Sequence, residues 1–277
     1  MMQKLIPHIF LTFLLSFLAN SKIRVVKGTL IKAFIAFYKP NLDEAIHKNI
    51  NEYSSYNDFF TRRLRAGARK IDHSERVIIS PVDGEIVDHG FVRKGQLIQA
   101  KKYEYDLEDL TGEGYSTEFE NSYFITLYLA PTDYHRIHCP FDAEISNSLH
   151  LGTSLFSVNK NAQKSIPNLY VKNERSVLHL VSDNLKYLLI SVGASVVGSI
   201  VPFWSTNEKS TRSELIKEWQ RGPKEKKLIK KGEELAHFRM GSTVILIFKD
   251  PDKLDLDSLK ENKLVKFGSE LIKLKTI

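Results

Sequence analysis

Acidic side chains are missing from the first 40 positions of this 277-residue chain, where Lys4, Lys22, Arg24, Lys27, Lys32 and Lys39 stand uncompensated. Most of the formal net charge of +7 is therefore an N-terminal property. Cysteine occurs once, at Cys139, which excludes an intrachain disulfide and any need for an oxidising compartment. No ligand cluster with zinc spacing accompanies it, so a metal site is not expected, and a small buried residue is the ordinary fate of such a thiol. Apolar runs of the ~20 residues that span a bilayer are also lacking. The most apolar stretch, residues 5 to 19, is interrupted by Pro7 and His8. There is no internal repeat and no low-complexity linker. Hydrophobic content of 42% and charged content of 26% are those of a folded protein, and the length suffices for a large core.

Within that short N-terminal run, Leu5, Ile6, Ile9, Phe10, Phe13, Leu14, Phe17 and Leu18 recur as one helical face. Ile23, Val26, Leu30, Ile31, Phe34, Phe37 and Tyr38 form a second, with Lys22, Arg24, Lys27, Lys32 and Lys39 beside it. Two amphipathic basic helices in tandem suit a membrane surface, where each cation contributes about 1 kcal/mol against anionic lipid. Two other readings compete. Lys4, the apolar stretch and Ala19-Asn20-Ser21 imitate a secretory signal, and the apolar faces could instead pack on the rest of the protein.

Pro40 ends this region, and Asn41 to Ile71 reads as a polar helical stretch bearing Tyr53, Tyr56, Phe59 and Phe60. Short β-like runs follow: Val77 to Ile79, Gly84 to Val87, Tyr123 to Leu129, Val177 to Val181, Tyr187 to Val192, Val196 to Val201 and Val244 to Phe248. Helices in front of a β-rich core make the expected fold class α+β. The expected division is a helical, membrane-associating region over 1–71 and a β-rich catalytic domain over 72–277. The charged stretch from Glu208 to Lys231 reads as solvated loop and helix, or as a face turned to the membrane.

Three motifs could carry chemistry. Gly241-Ser242-Thr243 is a turn that opens into the apolar run Val244 to Phe248, so a hydroxyl sits where a buried strand begins. Ser80-Pro81-Val82-Asp83-Gly84 is a turn in which Asp83, taken alone, reads as structural. In Asp133-Tyr134-His135-Arg136-Ile137-His138 the two histidines three apart read as a metal pair, a proton-transfer pair or a surface coincidence.

Around that serine, Lys231-Gly232-Glu233-Glu234-Leu235-Ala236-His237-Phe238-Arg239-Met240-Gly241-Ser242-Thr243 resembles the C-terminal signature of bacterial-type phosphatidylserine decarboxylases, enzymes that cut their own Gly-Ser bond. The other two motifs match the same family, as do Thr61-Arg62-Arg63-Leu64-Arg65, Leu155-Phe156-Ser157-Val158-Asn159, Asn173-Glu174-Arg175 and Val192-Gly193-Ala194-x-Val196-Val197-Gly198-Ser199. Met240 replaces the family's more usual leucine, a volume-conserving swap.

The resemblance implies self-cleavage between Gly241 and Ser242 into chains 1–241 and 242–277, which stay together as a heterodimer that could dimerise further. Ser242 would become a pyruvoyl group, a covalent cofactor that forms a Schiff base with phosphatidylserine and releases carbon dioxide and phosphatidylethanolamine. His138, oriented by Asp83, would act as base for cleavage by the logic of a serine-protease triad. The resemblance leaves either histidine as the proton donor in turnover. If residues 134 to 138 are extended, side chains three apart point to opposite faces, whereas a turn or bulge would let both approach one site; unequal roles are expected, His135 serving the decarboxylation. The implied location is the cytoplasmic side of the cell membrane, bound peripherally to anionic lipid, with no nucleic-acid partner. Two alternatives stand beside it: a membrane-associated Ser/His/Asp lipid hydrolase with its backbone uncut, which lacks the Gly-x-Ser-x-Gly elbow, and a noncatalytic lipid-binding module, which leaves the motif spacing unexplained.

Overall fold

The computed structural model describes residues 17–99, 103–194, 200–205, 211–223, 228–239 and 242–276. Its strands are β1 (Val77–Ile79), β2 (Gly84–Phe91), β3 (Gln96–Gln99), β4 (Tyr103–Asp106), β5 (Tyr123–Leu129), β6 (Arg136–His138), β7 (Ala143–Leu151) and β8 (Arg175–Val181). They continue as β9 (Lys186–Gly193), β10 (Ile200–Pro202), β11 (Leu228–Ile229), β12 (Glu234–Phe238), β13 (Ser242–Phe248), β14 (Leu254–Asp255), β15 (Leu264–Val265) and β16 (Glu270–Leu274). The helices are α1 (Arg24–Tyr38), α2 (Tyr56–Phe60), α3 (Leu107–Thr111), α4 (Lys160–Ser165), α5 (Leu169–Lys172) and α6 (Arg212–Arg221). The fold class is α+β, as expected from the sequence.

An eight-stranded antiparallel sheet in the order β11-β7-β8-β9-β13-β5-β2-β15 organises the chain. Its interior strand β13 runs apolar on both sides because both faces of the sheet are covered. Val244, Leu246 and Phe248 join one buried cluster with Ile137 of β6, Phe238 of β12 and Trp219 of α6. Ile245 and Ile247 join another with Leu97, Tyr105, Leu110 and Tyr170. On the first face lie two small sheets, β1-β16-β14 and β10-β12-β6, the second of which carries the histidine motif.

Several expectations change here. The stretch from Asn41 to Ile71 is mostly irregular, with one 3-10 turn at Ile50–Glu52 and the five-residue helix α2. Its aromatics nonetheless do organise it: Tyr53, Tyr56, Phe59 and Phe60 pack with Ala19, Ile31 and Phe34 into a separate buried cluster. Tertiary contacts, not helical repeat, set those positions. The expected run Val196 to Val201 falls partly outside the described residues, and the strand there is Ile200–Pro202. In the charged stretch, α6 is not wholly solvated, since its Trp219 is fully buried and donates its indole N–H to the Ile200 carbonyl at 2.8 Å.

The N-terminal apolar face divides. Ile31 and Phe34 of α1 are buried, whereas Phe17, Ile23, Val25, Phe37 and Tyr38 are exposed. Ala19, at the imitation of a signal cleavage site, is packed into the fold. Lys27 is turned inward onto the carbonyls of Asn51 and Tyr53. Residues 5 to 16 of the first helical face lie outside the described residues. Among those described, no helix is long and apolar enough to cross a membrane.

Candidate active site

Position 242 is the first residue of β13, paired with Leu129 of β5 on one side and Gly193 of β9 on the other. The chain leaves β5 at Leu129 and at once makes the turn Ala130 to Asp133. There the Ala130 N–H donates to Asp133 Oδ2 at 2.7 Å and the Asp133 N–H to the Ala130 carbonyl at 2.9 Å. The returning strand is tied by the Phe238 N–H, which donates to the His135 carbonyl at 3.0 Å. The segment 238–242 is thus anchored at one end to His135 and at the other to Leu129, the two ends of one seven-residue excursion. Gly241, the other half of the expected scissile bond, lies outside the described residues, as does Met240.

The same sheet brings the Asp83 turn to the histidines. The His138 N–H donates to the Pro81 carbonyl at 2.9 Å, and the Ser80 hydroxyl closes its own turn on the Val82 carbonyl at 2.7 Å. Gly84 is required at this crossing, because a Cβ there would lie 2.6 Å from the Tyr128 carbonyl oxygen in β5. Any larger residue would push Asp83 off its seat.

His138 is 7% exposed and both ring nitrogens are engaged. Nδ1 lies 2.8 Å from the Gly232 carbonyl oxygen, which can only accept, so Nδ1 carries the hydrogen. Nε2 therefore holds the lone pair and accepts from the Tyr134 hydroxyl at 2.9 Å. Gly232 has φ of 86°, a left-handed conformation that a side chain resists and that aims its carbonyl at the ring. Phe267 lies flat on the imidazole, with centroids 3.7 Å apart. Burial pushes the His138 pKa down to about 4, against the opposing pull of the Gly232 carbonyl.

Asp83 does not hydrogen-bond His138, which corrects the direct orientation that triad logic suggests. Its carboxylate accepts from Arg69 Nη2 at 2.5 Å, from Arg69 Nε at 3.3 Å and from the Phe267 N–H at 2.8 Å. The link to His138 runs through Phe267, held at its backbone by Asp83 and stacked by its ring on the imidazole. The tautomer a triad needs is supplied by the Gly232 carbonyl instead. His138, Tyr134, Arg69 and Phe267 border a cleft of about 410 Å³, whose rim carries Arg63 and Arg65.

His135 lies apart from that cleft, capped by the N-terminal region. Phe60 of α2 packs on its ring with centroids 4.2 Å apart. Its Nδ1 donates to the Asp133 carbonyl at 2.8 Å, while Nε2 is buried without a partner. Complete burial lowers its pKa to about 3. On the run that leads into β6, Tyr134 and His138 share one side, stacked and hydrogen-bonded to each other, while the His135 ring turns to the other, under Phe60.

Residues to which sequence reasoning gave no role of their own complete the arrangement. Tyr134 was legible from its i, i+4 spacing to His138 on an extended run. Arg69, in an irregular segment, carries no such signal. Asn173 holds the strand beside position 242, its side-chain amide donating to the Gly193 carbonyl at 2.9 Å while the Gly193 N–H donates to the Glu174 carbonyl at 2.8 Å. Glu174 is in turn buried between His150 and Arg212.

Comparison with known proteins bears on this arrangement directly. A family model described as phosphatidylserine decarboxylase matches residues 56–273, and a second, described as PSD, matches residues 1–39. The phosphatidylserine decarboxylase proenzyme of Pseudoalteromonas translucida is 39% identical over 99% of this chain and 96% of its own length. The proenzyme of Yersinia enterocolitica is 35% identical over 98% of this chain and 94% of its own. That of Herminiimonas arsenicoxydans is 39% identical over 89% of this chain and 83% of its own. With both its N-terminal region and its histidine-bearing core matched at this level, the chain belongs to the phosphatidylserine decarboxylase family.

Proposed function

We propose that this carboxy-lyase is made as a proenzyme that cuts its own Gly241–Ser242 bond, and that residue 242 becomes a pyruvoyl group serving the decarboxylation of phosphatidylserine to phosphatidylethanolamine. The observation that carries the reading is the anchoring of segment 238–242 at both ends to the histidine excursion. His138 is the base that takes the Ser242 hydroxyl proton, since its lone pair sits on Nε2 and its low basicity keeps it neutral near pH 7. Tyr134, which occupies that lone pair, has to turn aside first. Asp83 contributes through the seating of Phe267 and through its charge, which favours a protonated His138 once the proton has moved.

The surroundings fit the implied group. His135 offers a neutral, buried nitrogen with no partner, the kind of atom a reacting amine or carbonyl can satisfy. A pyruvoyl carbonyl supplies the electron-withdrawing centre that takes up the electron pair left when carbon dioxide departs. His135 handles the proton traffic of turnover, and the domain assignment that goes with this reading is a membrane-associating region over 1–71, helical only in part, and a catalytic domain over 72–277. The fragment 242–277 is retained after cleavage because its first strand lies inside the main sheet, hydrogen-bonded on both sides, with Val244 to Phe248 fully buried. The product is therefore a heterodimer of the two pieces.

Peripheral attachment to the cytoplasmic face of the membrane is supported by the exposed Phe17, Ile23, Val25, Phe37 and Tyr38 beside Lys22, Arg24, Lys32 and Lys39. No observation favours a hydrolase with an intact backbone. The deciding experiment is an intact-mass spectrum of an active preparation. The expected result is two chains, 1–241 and 242–277 with a pyruvoyl start, and one uncut chain for Ser242→Ala. Activity from a single uncut wild-type chain overturns the reading.

A further inference from the structure

Arg62 is 5% exposed, yet among the described residues no carboxylate lies within ion-pair reach of it. Its Nη2 donates to the Thr132 carbonyl at 2.6 Å and to the Asp133 carbonyl at 3.3 Å. The Asp133 carbonyl is the one that accepts from His135 Nδ1 at 2.8 Å. Guanidinium and imidazole therefore converge on a single oxygen. Each also keeps a buried nitrogen without a partner, Nη1 on Arg62 and Nε2 on His135. A buried cation left unpaired is costly, and such a cost is tolerated where it serves a site.

We propose that Arg62 is a positioning residue for His135: by holding the Thr132 and Asp133 carbonyls it fixes the hydrogen on Nδ1 and leaves the Nε2 lone pair free for the substrate amine. This rests on the role given to His135 above. The serine headgroup arrives as an ammonium, which cannot attack a carbonyl until it loses a proton. An N–H bond of the ammonium breaks as an Nε2–H bond forms, leaving a neutral amine with its lone pair and an imidazolium at His135. That proton is then available to the carbon that loses carbon dioxide, so His135 ends neutral and the cycle balances.

The charges around His135 support this assignment. Arg62 is the charged group that acts on it, disfavouring its protonated form. Asp133 is turned back onto the Ala130 N–H, and Arg136 is spent on Glu234 and the Thr61 carbonyl. Asp83 and Glu234 act on His138, and the group packed on the ring from α2 is the uncharged Phe60. Arg62 also lies over the Phe59 ring at 5.8 Å, so one residue joins the N-terminal aromatic cluster to this histidine.

Nitrogen-15 NMR of the histidine rings tests the proposal, with His135 assigned from a His135→Gln variant. In the uncut Ser242→Ala precursor, where the outcome is independent of any pyruvoyl group, His135 is expected with hydrogen on Nδ1; hydrogen on Nε2 overturns the proposal. Arg62→Gln, which keeps a donor and loses the charge, should cleave normally by intact mass. It should lower kcat about 10- to 100-fold with little change in KM, and raise the His135 titration midpoint by about 0.5 to 1 pH unit. Arg62→Lys should restore the midpoint and part of kcat. An Arg62→Gln chain that stays uncut, or one whose His135 midpoint and tautomer match wild type whatever its activity, overturns the assignment. If Arg62→Gln does not fold, the precursor tautomer and the Arg62→Lys midpoint decide. Wild-type mass separately reports whether self-cleavage itself fails.

Discussion

His135 and His138 are three residues apart, both buried and both neutral, yet they sit in unlike surroundings. His138 belongs to the C-terminal core: Gly232 and Tyr134 take its two nitrogens, and Phe267 stacks on its face. His135 belongs to the seam with the N-terminal cluster, packed under Phe60 and joined to Arg62 through a shared carbonyl, with one nitrogen unclaimed. On the proposed function, the difference lets one short segment serve two jobs: the ring satisfied by the protein acts once on the protein, and the ring left unsatisfied meets something that arrives later.

The sharpest way to break this contrast is to remove each ring. His138→Ala should abolish base assistance to Ser242 and reduce the rate of self-cleavage by at least about 100-fold, general-base assistance being worth 10² to 10⁴. His135→Ala should still cut to a substantial degree but decarboxylate at least about 100-fold more slowly. Fragment yield on a denaturing gel and carbon dioxide release, measured for both variants, decide between them. If His135→Ala blocks cutting as fully as His138→Ala, the two rings do one job and the contrast fails.

A smaller effect is expected at Asp83, which reaches His138 only through Phe267. Asp83→Asn keeps an oxygen for the Phe267 N–H but loses its charge and its ion pair with Arg69. Cleavage should slow by about 10-fold, in keeping with one to two kcal/mol for a partly screened charge effect. Time courses of precursor decay give the rate directly. A loss as deep as that of His138→Ala would mean that Asp83 contacts the ring during the reaction, as a direct triad requires.

How far the sequence discloses this depends on the range of the interaction. Strand β13 is legible from Val244 to Phe248, because burial on both faces leaves a continuous apolar run, although the strand itself begins two residues earlier at Ser242, and β1 and β5 are read with their observed bounds. The short strands of the histidine sheet were not, since three residues such as Arg136–His138 have no period to detect. The irregular segment before Ile71 was misread as helix, its aromatics reporting burial without reporting shape. Ser242, Asp83 and both histidines came from motif resemblance, and the backbone pairings bring their segments together. The partners of those side chains, Gly232, Phe267, Arg62 and Arg69, arrive from 14 to 184 residues away in sequence or answer to backbone angles, and spacing carries no trace of either.

The last and smallest effect tests whether both rings are held neutral by burial. A histidine whose folded pKa lies below its unfolded value of about 6.5 binds more protons when unfolded, so stability rises with pH through the window between the two values and falls on acidification. With folded values of about 3 for His135 and about 4 for His138, that window spans about pH 3 to 6.5 and about pH 4 to 6.5. Between pH 7 and pH 6 the folded rings stay neutral while unfolded histidine begins to charge, which costs about 0.7 kcal/mol for each ring by linkage. For a chain of this size each such loss lowers Tm by about 1 to 3 °C. His179 and His237 are also lowered by burial and add to the total slope. The uncut Ser242→Ala chain gives a uniform sample in which to measure it, and adding His135→Asn or His138→Asn should each remove one ring's share of the drop from pH 7 to 6. Equal reductions would show that both pockets exclude protons by the same means despite their different partners. An unchanged slope for one variant would show that its ring titrates in the folded chain as it does in the unfolded one, and a steeper slope that it is charged near neutrality; either would end the comparison of two neutral histidines at that residue.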